Sequence, residues 1–153
     1  MAIEVGQQAP DFDLPDQNRN RVKLSDFRGK ENVVLVFYPF SFTGVCTGEL
    51  CELRDNLSSY ETASAQVLAV SCDPRSVQAK FAEEQGFTFP VLSDFWPHGA
   101  VSTAYGVFDE TLGAAKRGTF VIDKNGVVVA TFASPDLTTP REKRLYDEAL
   151  AKL

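Results

Sequence analysis

The chain has 153 residues, of which 44% are hydrophobic and twelve are Phe, which is enough to bury the core of one domain spanning residues 1–153. Fifteen Lys and Arg against twenty-one Asp and Glu leave a formal net charge of -6. Because this charge repels phosphate backbones and anionic lipid surfaces, it argues against nucleic acid and membrane partners.

The N-terminal residues have neither the basic start nor the apolar run of a signal peptide, and no apolar segment approaches the length of a membrane span. The expected location is therefore the cytoplasm. In a reducing compartment, an odd set of three Cys is more often chemical or buried than paired in structural disulfides. A single His, His98, limits metal sites, and we expect neither a metal nor a cofactor.

Two apolar runs rich in β-branched residues, 33–38 and 67–71, predict strands that are buried on both faces. Between them, apolar residues recur at spacings of three, four and three, as on one side of an amphipathic helix. This stripe consists of Leu50, Leu53, Leu57 and Tyr60. The order predicts a β-α-β unit with a parallel pair of strands.

A second helix is predicted from Pro74 to Gln85, because Asp73 can cap its start and Gly86 suits its end. Its core-facing residues would be Val77 and Phe81.

Two β-rich runs, 119–123 and 127–132, flank Lys124-Asn125-Gly126 and predict an antiparallel hairpin. The run Thr139-Pro140-Arg141-Glu142 then predicts a capping box that opens a final helix through Leu145 and Leu150. This is the order of elements in a thioredoxin-like α/β fold, with a central mixed sheet flanked by helices. Such a fold does not by itself assign chemistry.

Cys46 is the first candidate for chemistry. The loop after Pro39 enters the helix near Thr43, which places Cys46 in the first helical turn. Unpaired backbone N–H groups and the helix dipole favour an anion there, and the thiolate is the nucleophilic form of Cys. On a helical wheel Cys46 falls on the side of Leu53 and Leu57, so it should point toward the sheet. Taken alone, an inward Cys is more often an inert core thiol.

Pro39, Thr43 and Cys46 stand in the arrangement Pro-x-x-x-Thr-x-x-Cys, which resembles the active-site motif of the peroxiredoxins. Further similarities extend over nearly the whole chain, at Ala9–Phe12, Leu24–Gly29, Glu49 and Arg117–Asp123. Within the family, the chain is most similar to the one-cysteine alkyl hydroperoxide reductase E type, especially over Ser93–Gly99. The resemblance implies an antioxidant thiol peroxidase that reduces hydrogen peroxide, organic hydroperoxides and peroxynitrite through a Cys46 sulfenic acid.

The chemistry of peroxide reduction explains why these residue types are needed. Negative charge moves from sulfur to the departing oxygen, so hydrogen-bond donors must already be in place around it. The Thr43 hydroxyl can donate to one oxygen and accept the peroxide hydrogen, while Arg117 supplies a cation with several N–H groups. The backbone N–H groups of Val45 and Cys46 can contribute, and Pro39 shields the sulfur.

Each of these residues also has a simpler explanation. Thr43 is equally suited to an N-cap, Glu49 to a helix surface and Arg117 to a solvated position before a strand. Their joint spacing beside a first-turn Cys favours catalytic roles for Cys46, Thr43, Arg117 and Pro39, with Glu49 in support.

The return of Cys46 to the thiol is left open by the sequence. The family resemblance implies an external thiol reductant, either a low-molecular-weight thiol or a glutaredoxin-like or thioredoxin-like protein, and a homodimer. The spacing Cys46-x-x-x-x-Cys51 resembles instead the bacterioferritin comigratory type, in which the second Cys resolves the sulfenic acid. An intact helix separates the two residues by a rise of about 7.5 Å, so a disulfide between them requires local unwinding. Cys72 is expected to be a packed thiol.

Aromatic residues near these segments are candidates for the wall of an apolar substrate pocket: Phe40, Phe42, Trp96 and Phe108, with His98 beside them.

Two alternative functions would use the cysteines of this chain differently. A thioredoxin-like thiol-disulfide carrier or redox-sensing binding protein is disfavoured because Cys-x-x-Cys is absent and Glu49 occupies the second position. A structural zinc site of Cys46, Cys51, Cys72 and His98 is disfavoured because two of these ligands lie on different faces of one helix.

Overall fold

The computed structural model describes residues 2–153. Its strands are, in chain order, β1 Asp13–Pro15, β2 Arg21–Lys23, β3 Asn32–Phe37, β4 Ala65–Ser71, β5 Val91–Ser93, β6 Phe108–Asp109, β7 Ala114–Ala115, β8 Gly118–Ile122 and β9 Val128–Ala133. Its α-helices are α1 Gly44–Asp55, α2 Leu57–Thr62, α3 Arg75–Gln85, α4 Ala100–Ala104 and α5 Lys143–Leu150, and a 3-10 helix spans Leu24–Phe27. None of these helices is long and apolar enough to cross a bilayer within the part of the chain that is described.

The central sheet has five strands in the order β5-β4-β3-β8-β9. β3 pairs in parallel with β4 and β4 in parallel with β5, whereas β8 runs antiparallel to both β3 and β9. The predicted mixed sheet, parallel pair and hairpin are therefore confirmed. Leu35 at the middle of β3 lies opposite Leu68 on one side and Phe120 on the other.

Strand β3 separates two hydrophobic cores, because successive side chains of a strand point to opposite faces. Val34 and Val36 join the core that also contains Cys46 and side chains of α1, α3 and α5. Val33 and Leu35 join the second core. This two-sided burial explains why β3 has no alternation of polar and apolar residues.

The four apolar residues of the predicted stripe are all helical, but they belong to two helices, α1 and α2. Asn56, at φ -118° and ψ 20°, interrupts the helical geometry between α1 and α2. Its side chain donates to the Glu52 carbonyl at 2.7 Å, which is the local competition with the backbone that makes Asn a helix terminator. Leu50, Leu53 and Tyr60 are nevertheless buried.

Helix α3 ends at Gly86 as predicted, with φ 70°, and Phe81 is buried as predicted, but the predictions for Asp73 and Val77 are wrong. Asp73 does not cap it, because the N-cap residue is Pro74 and the Asp73 carboxylate accepts hydrogen bonds elsewhere. Val77 is 36% exposed, since the inward face of the helix is formed by Gln78 with Phe81 and Ala82.

The last helix starts later than the predicted capping box. Its N-cap residue is Glu142, without a side-chain cap, and the first helical residue is Lys143. The helix begins only after Arg141. The backbone N–H of Arg141 donates to Glu49 at 2.6 Å, and its side chain is buried. The helix packs through Tyr146 and Ala149, with Leu150 partly buried.

Candidate active site

Cys46 lies in the first turn of α1 and is completely buried, as the helical wheel predicts. The helical ladder begins where the Thr47 N–H donates to the Thr43 carbonyl at 2.9 Å. The N–H groups of the three residues between them therefore have no helical acceptor. Cys46 is thus placed where backbone donors and the positive end of the helix dipole converge.

Arg117 contacts the sulfur directly. It precedes β8, is only 4% exposed, and donates from Nη2 to Cys46 Sγ at 3.1 Å. Its Nη1 donates to Glu49 Oε1 at 2.6 Å and its Nε to the Leu137 carbonyl at 2.8 Å. Three separate acceptors therefore hold the guanidinium, and its orientation over Cys46 is well determined.

Glu49 lies one turn after Cys46 on α1 and is buried rather than at the helix surface. It accepts hydrogen bonds from both Arg117 and Arg141. Burial acts to raise the pKa of the Glu49 carboxyl, but the hydrogen bonds and charge of Arg141, with the charge of Arg117, hold that pKa below its ordinary value. Glu49 is therefore a carboxylate shared by two buried cations.

Arg141 is the member of this cluster that the sequence did not reveal. Besides Glu49, it donates from Nη1 to the Phe37 and Gly118 carbonyls at 2.8 and 2.9 Å and to Thr119 Oγ1 at 3.2 Å. Arg141 thereby joins α1 to β3 and β8. Its neighbours in sequence had suggested only a helix cap, and no local pattern marks an arginine whose partners lie on three distant elements.

Thr43 and Pro39 line the loop between β3 and α1. Thr43 is the exposed N-cap residue of α1, but its hydroxyl does not cap the helix and donates to the Phe40 carbonyl at 2.8 Å. Pro39 is buried two residues after the end of β3. Both residues therefore belong to the segment that brings Cys46 to the end of the sheet.

The predicted pocket aromatics lie on two loops. Phe40 and Phe42 are exposed in the β3–α1 loop, where the Phe42 ring lies 5.1 Å from that of Phe81. Trp96, in the loop after β5, is 81% exposed. The His98 ring packs 5.9 Å from Phe108. A shared substrate pocket for these residues remains a prediction.

The other two cysteines have hydrogen-bond partners outside the cluster of Cys46, Glu49, Arg117 and Arg141. Cys51 is half-buried on α1, and its thiol donates to Gln85 Oε1 at 3.5 Å. Cys72 is buried, with its sulfur 3.8 Å from Ser102 Oγ, and burial raises the pKa of its thiol to about 11. All three thiols are free, and residues 2–153 contain no group of three His, Cys, Asp or Glu placed to hold a metal ion.

Comparison with known proteins extends over almost all of the chain. The model of the AhpC/TSA family matches residues 5–131. Alkyl hydroperoxide reductase E of Mycobacterium tuberculosis is 51% identical over 152 residues, which is 99% of this chain and 98% of that protein. Peroxiredoxin Bcp of Bacillus subtilis is 36% identical over 135 residues, or 84% of each chain.

A solved structure gives the same result for the fold. The crystal structure of peroxidoxin BcpB from Mycobacterium tuberculosis matches with a TM-score of 0.86 at 36% identity, covering 98% of this chain and 96% of that one. The thioredoxin-like fold and the resemblance stated from the sequence are therefore confirmed. The chain belongs to the AhpC/TSA family of peroxiredoxins.

Proposed function

We propose that Cys46 is the nucleophile with which this protein reduces hydroperoxides. As a member of its family the chain is a thiol-dependent peroxidase, an oxidoreductase. The observation that supports the assignment to Cys46 is the buried contact between Arg117 Nη2 and Cys46 Sγ at 3.1 Å, in the first turn of α1. Neither Cys51 nor Cys72 has a cation hydrogen-bonded to its sulfur among the described residues.

The charges of the site favour a thiolate. Arg117 and Arg141 supply two buried cations, and Glu49 supplies one carboxylate. A neutral thiol would leave this cluster with an excess positive charge, whereas a Cys46 thiolate balances it. Because buried charges are stable only when they are paired, the cluster stabilises the nucleophilic form of Cys46.

In the proposed reaction, the Cys46 thiolate attacks the oxygen of the hydroperoxide that bears the hydrogen. A sulfur–oxygen bond forms as the oxygen–oxygen bond breaks, which gives a sulfenic acid and an alkoxide or hydroxide that takes up a proton. The sulfur loses two electrons to the peroxide. Arg117 and the free N–H groups of α1 donate to the departing oxygen, where the negative charge develops.

Thr43 and Pro39 complete the catalytic set in this proposal. Because the Thr43 hydroxyl donates its only hydrogen to the Phe40 carbonyl, its lone pairs remain to accept the O–H of the hydroperoxide. Pro39 is buried beside the loop and has no N–H to compete for the sulfur. Glu49 supports the site by holding the guanidinium of Arg117 in place.

Hydrogen peroxide, organic hydroperoxides and peroxynitrite are the proposed substrates. The exposed rings of Phe40 and Phe42, on the loop that also contains Thr43, support binding of organic hydroperoxides. Trp96 is assigned to the same surface as a proposal. Substitution of Phe42 by Ala should then slow the reaction with an alkyl hydroperoxide more than that with hydrogen peroxide.

We assign reduction of the sulfenic acid to an external thiol, such as a low-molecular-weight thiol or a glutaredoxin-like or thioredoxin-like protein. The geometry that supports this is the unbroken α1, in which the Cys51 thiol is directed to Gln85. Intact-mass measurement and peptide mapping after one equivalent of peroxide test it. A gain of one oxygen without an internal bridge is expected, and a Cys46–Cys51 disulfide would overturn the assignment.

The assembly and location are also proposals. We propose one domain over residues 1–153, a homodimer and a cytoplasmic location, without a cofactor. Three free thiols suit a reducing compartment. Sedimentation equilibrium tests the dimer, and a monomer mass at micromolar concentration would contradict it.

The central assignment is tested by stopped-flow measurement of peroxide consumption by reduced protein. Wild-type protein should consume one equivalent rapidly without added metal, and Cys46→Ser should not. Cys72→Ser is a matched control, because it replaces a buried thiol outside the site and should leave the rate unchanged. Undiminished consumption by Cys46→Ser would exclude Cys46 as the nucleophile.

A further inference from the structure

Asp73, in the segment after β4, has a carboxylate oxygen that accepts three hydrogen bonds. Its Oδ2 accepts from the Ser41 backbone N–H at 2.9 Å, from Ser41 Oγ at 2.8 Å and from Ser71 Oγ at 2.7 Å. The side chain is half-buried and does not cap α3. The carboxylate therefore joins the end of β4 to the β3–α1 loop, which leads to Cys46.

The direction of each hydrogen bond around Asp73 follows from the number of hydrogens. Each Ser hydroxyl has one hydrogen and gives it to Asp73, so its other contacts must be accepted. Tyr38 therefore donates to Ser41 Oγ across 3.0 Å, and Gln78 Nε2 donates to Ser71 Oγ at 2.8 Å. Tyr38 and Gln78 are both fully buried, so the network is anchored at both ends in the core.

One peptide unit connects Asp73 to Thr43. The Ser41 N–H, which donates to Asp73, and the Phe40 carbonyl, which accepts from Thr43 Oγ1 at 2.8 Å, belong to the same planar trans peptide. Because the N–H and C=O groups of such a unit point in opposite directions, holding one fixes the direction of the other. Asp73 and Thr43 are therefore hydrogen-bonded to opposite sides of one rigid peptide unit.

The loop needs such a restraint. Phe42, between Ser41 and Thr43, has φ 68°, in the left-handed region where a non-glycine residue is strained by about 1–2 kcal/mol. Such a conformation persists only where surrounding contacts over-determine it. The two hydrogen bonds from Ser41 to Asp73, directly before Phe42, are contacts of this kind.

We propose that Asp73 is a positioning residue that acts through the Phe40–Ser41 peptide to present the Thr43 hydroxyl to the hydroperoxide as a hydrogen-bond acceptor. This rests on the proposed role of Cys46 as the nucleophile. Thr43 then accepts the O–H of the oxygen that is attacked, while Arg117 donates to the oxygen that departs. The two contacts distinguish the two oxygens of the substrate.

A double-mutant cycle tests whether Asp73 acts through Thr43. The second-order rate constant for oxidation by hydrogen peroxide is measured for wild type, Asp73→Asn, Thr43→Val and the double variant. We expect Asp73→Asn to slow oxidation by about tenfold, because a neutral amide oxygen accepts the three hydrogen bonds more weakly than a carboxylate and small displacements at a reacting centre have effects of this order or larger. The double variant should react within about twofold of Thr43→Val, because the hydroxyl that Asp73 directs is then absent.

Alkylation by iodoacetamide supplies the second measurement, because this reagent consumes the thiolate but has no O–H to be oriented. Asp73→Asn should alkylate within about twofold of wild type. Asp123→Asn is the matched control, since Asp123 also accepts two backbone N–H groups but lies in the β8–β9 turn, and its peroxide rate should be unchanged.

The double-mutant cycle and the alkylation assay have three results that would overturn the role of Asp73. They are an Asp73→Asn variant as fast as wild type with peroxide, multiplicative effects in the double variant, and equal losses in the peroxide and alkylation reactions. The last would indicate general damage to the loop. Asp73→Ala, with circular dichroism to check folding, should be slower than Asp73→Asn, and equal rates would also contradict the proposal. The Cys46→Ser experiment tests the proposed function independently, so the two failures are distinguishable.

Discussion

Glu49 shows how a single side chain determines the properties of this site. It accepts hydrogen bonds from Arg117 and Arg141, and the three charged groups are almost fully buried. Burial disfavours the charge of Arg141, but contacts that include Glu49 keep its pKa above the ordinary value. The position of Arg117 over Cys46 therefore depends on a carboxylate that never needs to touch the substrate.

The stability of the protein should depend on Glu49 in a pH-dependent way. Its pKa is below 4.5 when folded and near that ordinary value when unfolded, so its stabilising effect is full above pH 4.5 and is lost as the pH falls through the folded-state value. Glu49→Gln should lower the free energy of unfolding by about 3–5 kcal/mol at pH 7, because two buried cations lose their partner.

Urea titrations of wild type and Glu49→Gln at several pH values measure this difference. The difference in the free energy of unfolding between the two proteins should become smaller as the pH falls below 4.5. Glu148→Gln is the control, because that carboxylate forms an exposed ion pair with Arg144 and its loss should barely change the free energy of unfolding. If the two free energies of unfolding differ by the same amount at pH 7 and pH 3, the ionised Glu49 carboxylate is not the source of this stability.

Arg117 should be important for the rate at which Cys46 reacts with hydrogen peroxide. Arg117→Ala removes the donor at 3.1 Å from Cys46 Sγ and should lower kcat/KM for hydrogen peroxide by about 10²–10³-fold, as expected for loss of one charge-stabilising donor. Stopped-flow kinetics measure this. Arg144→Ala, which removes an exposed arginine of α5, should react like wild type.

At the scale of elements, the segment between β9 and α5 supports the active site from outside. Asp136 Oδ1 accepts hydrogen bonds from Thr138 N, Thr138 Oγ1 and Thr139 N, which closes a tight turn. That turn contains Leu137, whose carbonyl accepts from Arg117 Nε at 2.8 Å. The conformation of an exposed turn is thereby linked to a buried guanidinium.

Loosening this turn should impair catalysis without damage to the core. Asp136→Ala removes the acceptor of three hydrogen bonds and should reduce kcat/KM for peroxide by about tenfold, because Arg117 loses a fixed acceptor. Asp136→Asn, which retains a weaker neutral oxygen acceptor, should react faster than Asp136→Ala and more slowly than wild type. Asp123→Ala opens a comparable turn at the hairpin and serves as the control. An unchanged rate in Asp136→Ala would show that Leu137 does not restrain Arg117.

The helix predictions succeeded where local periodicity was decisive and failed where one side chain had a distant partner. The stripe of Leu50 and Leu53 and the end at Gly86 follow from patterns within a few residues, and both are observed. The assignment of Asp73 as a helix cap was wrong, and so was that of the capping box over 139–142, which contains Arg141. Their hydrogen-bond partners lie 32 and 92 residues away in the chain, at Ser41 and Glu49.

At the scale of the whole molecule, the sheet holds the site between two cores. Leu35, at the centre of β3, is completely buried in the second core, on the face of the sheet opposite Cys46. Leu35→Ala should lower the free energy of unfolding by about 2–5 kcal/mol, because it removes buried methyl groups and leaves a cavity. Leu112→Ala, at a half-exposed position, should change it by less than about 0.5 kcal/mol.

Chemical denaturation monitored by circular dichroism measures both variants. A loss below about 1 kcal/mol for Leu35→Ala would indicate that the core can close around the missing side chain. The peroxide rate of folded Leu35→Ala should remain close to that of wild type, since the substitution leaves the Cys46 side of the sheet unchanged.

The sequence by itself determined the four strands β3, β4, β8 and β9, the parallel pair, the hairpin and the position of Cys46 in a first helical turn, because each depends on residues close together in the chain. It also showed the family through Pro39, Thr43 and Cys46. Only the tertiary structure revealed that Glu49 is shared by Arg117 and Arg141, and that Asp73 holds Ser41. These contacts join residues from different elements, and the energy of a buried charge or hydrogen bond depends on partners that local sequence patterns do not specify.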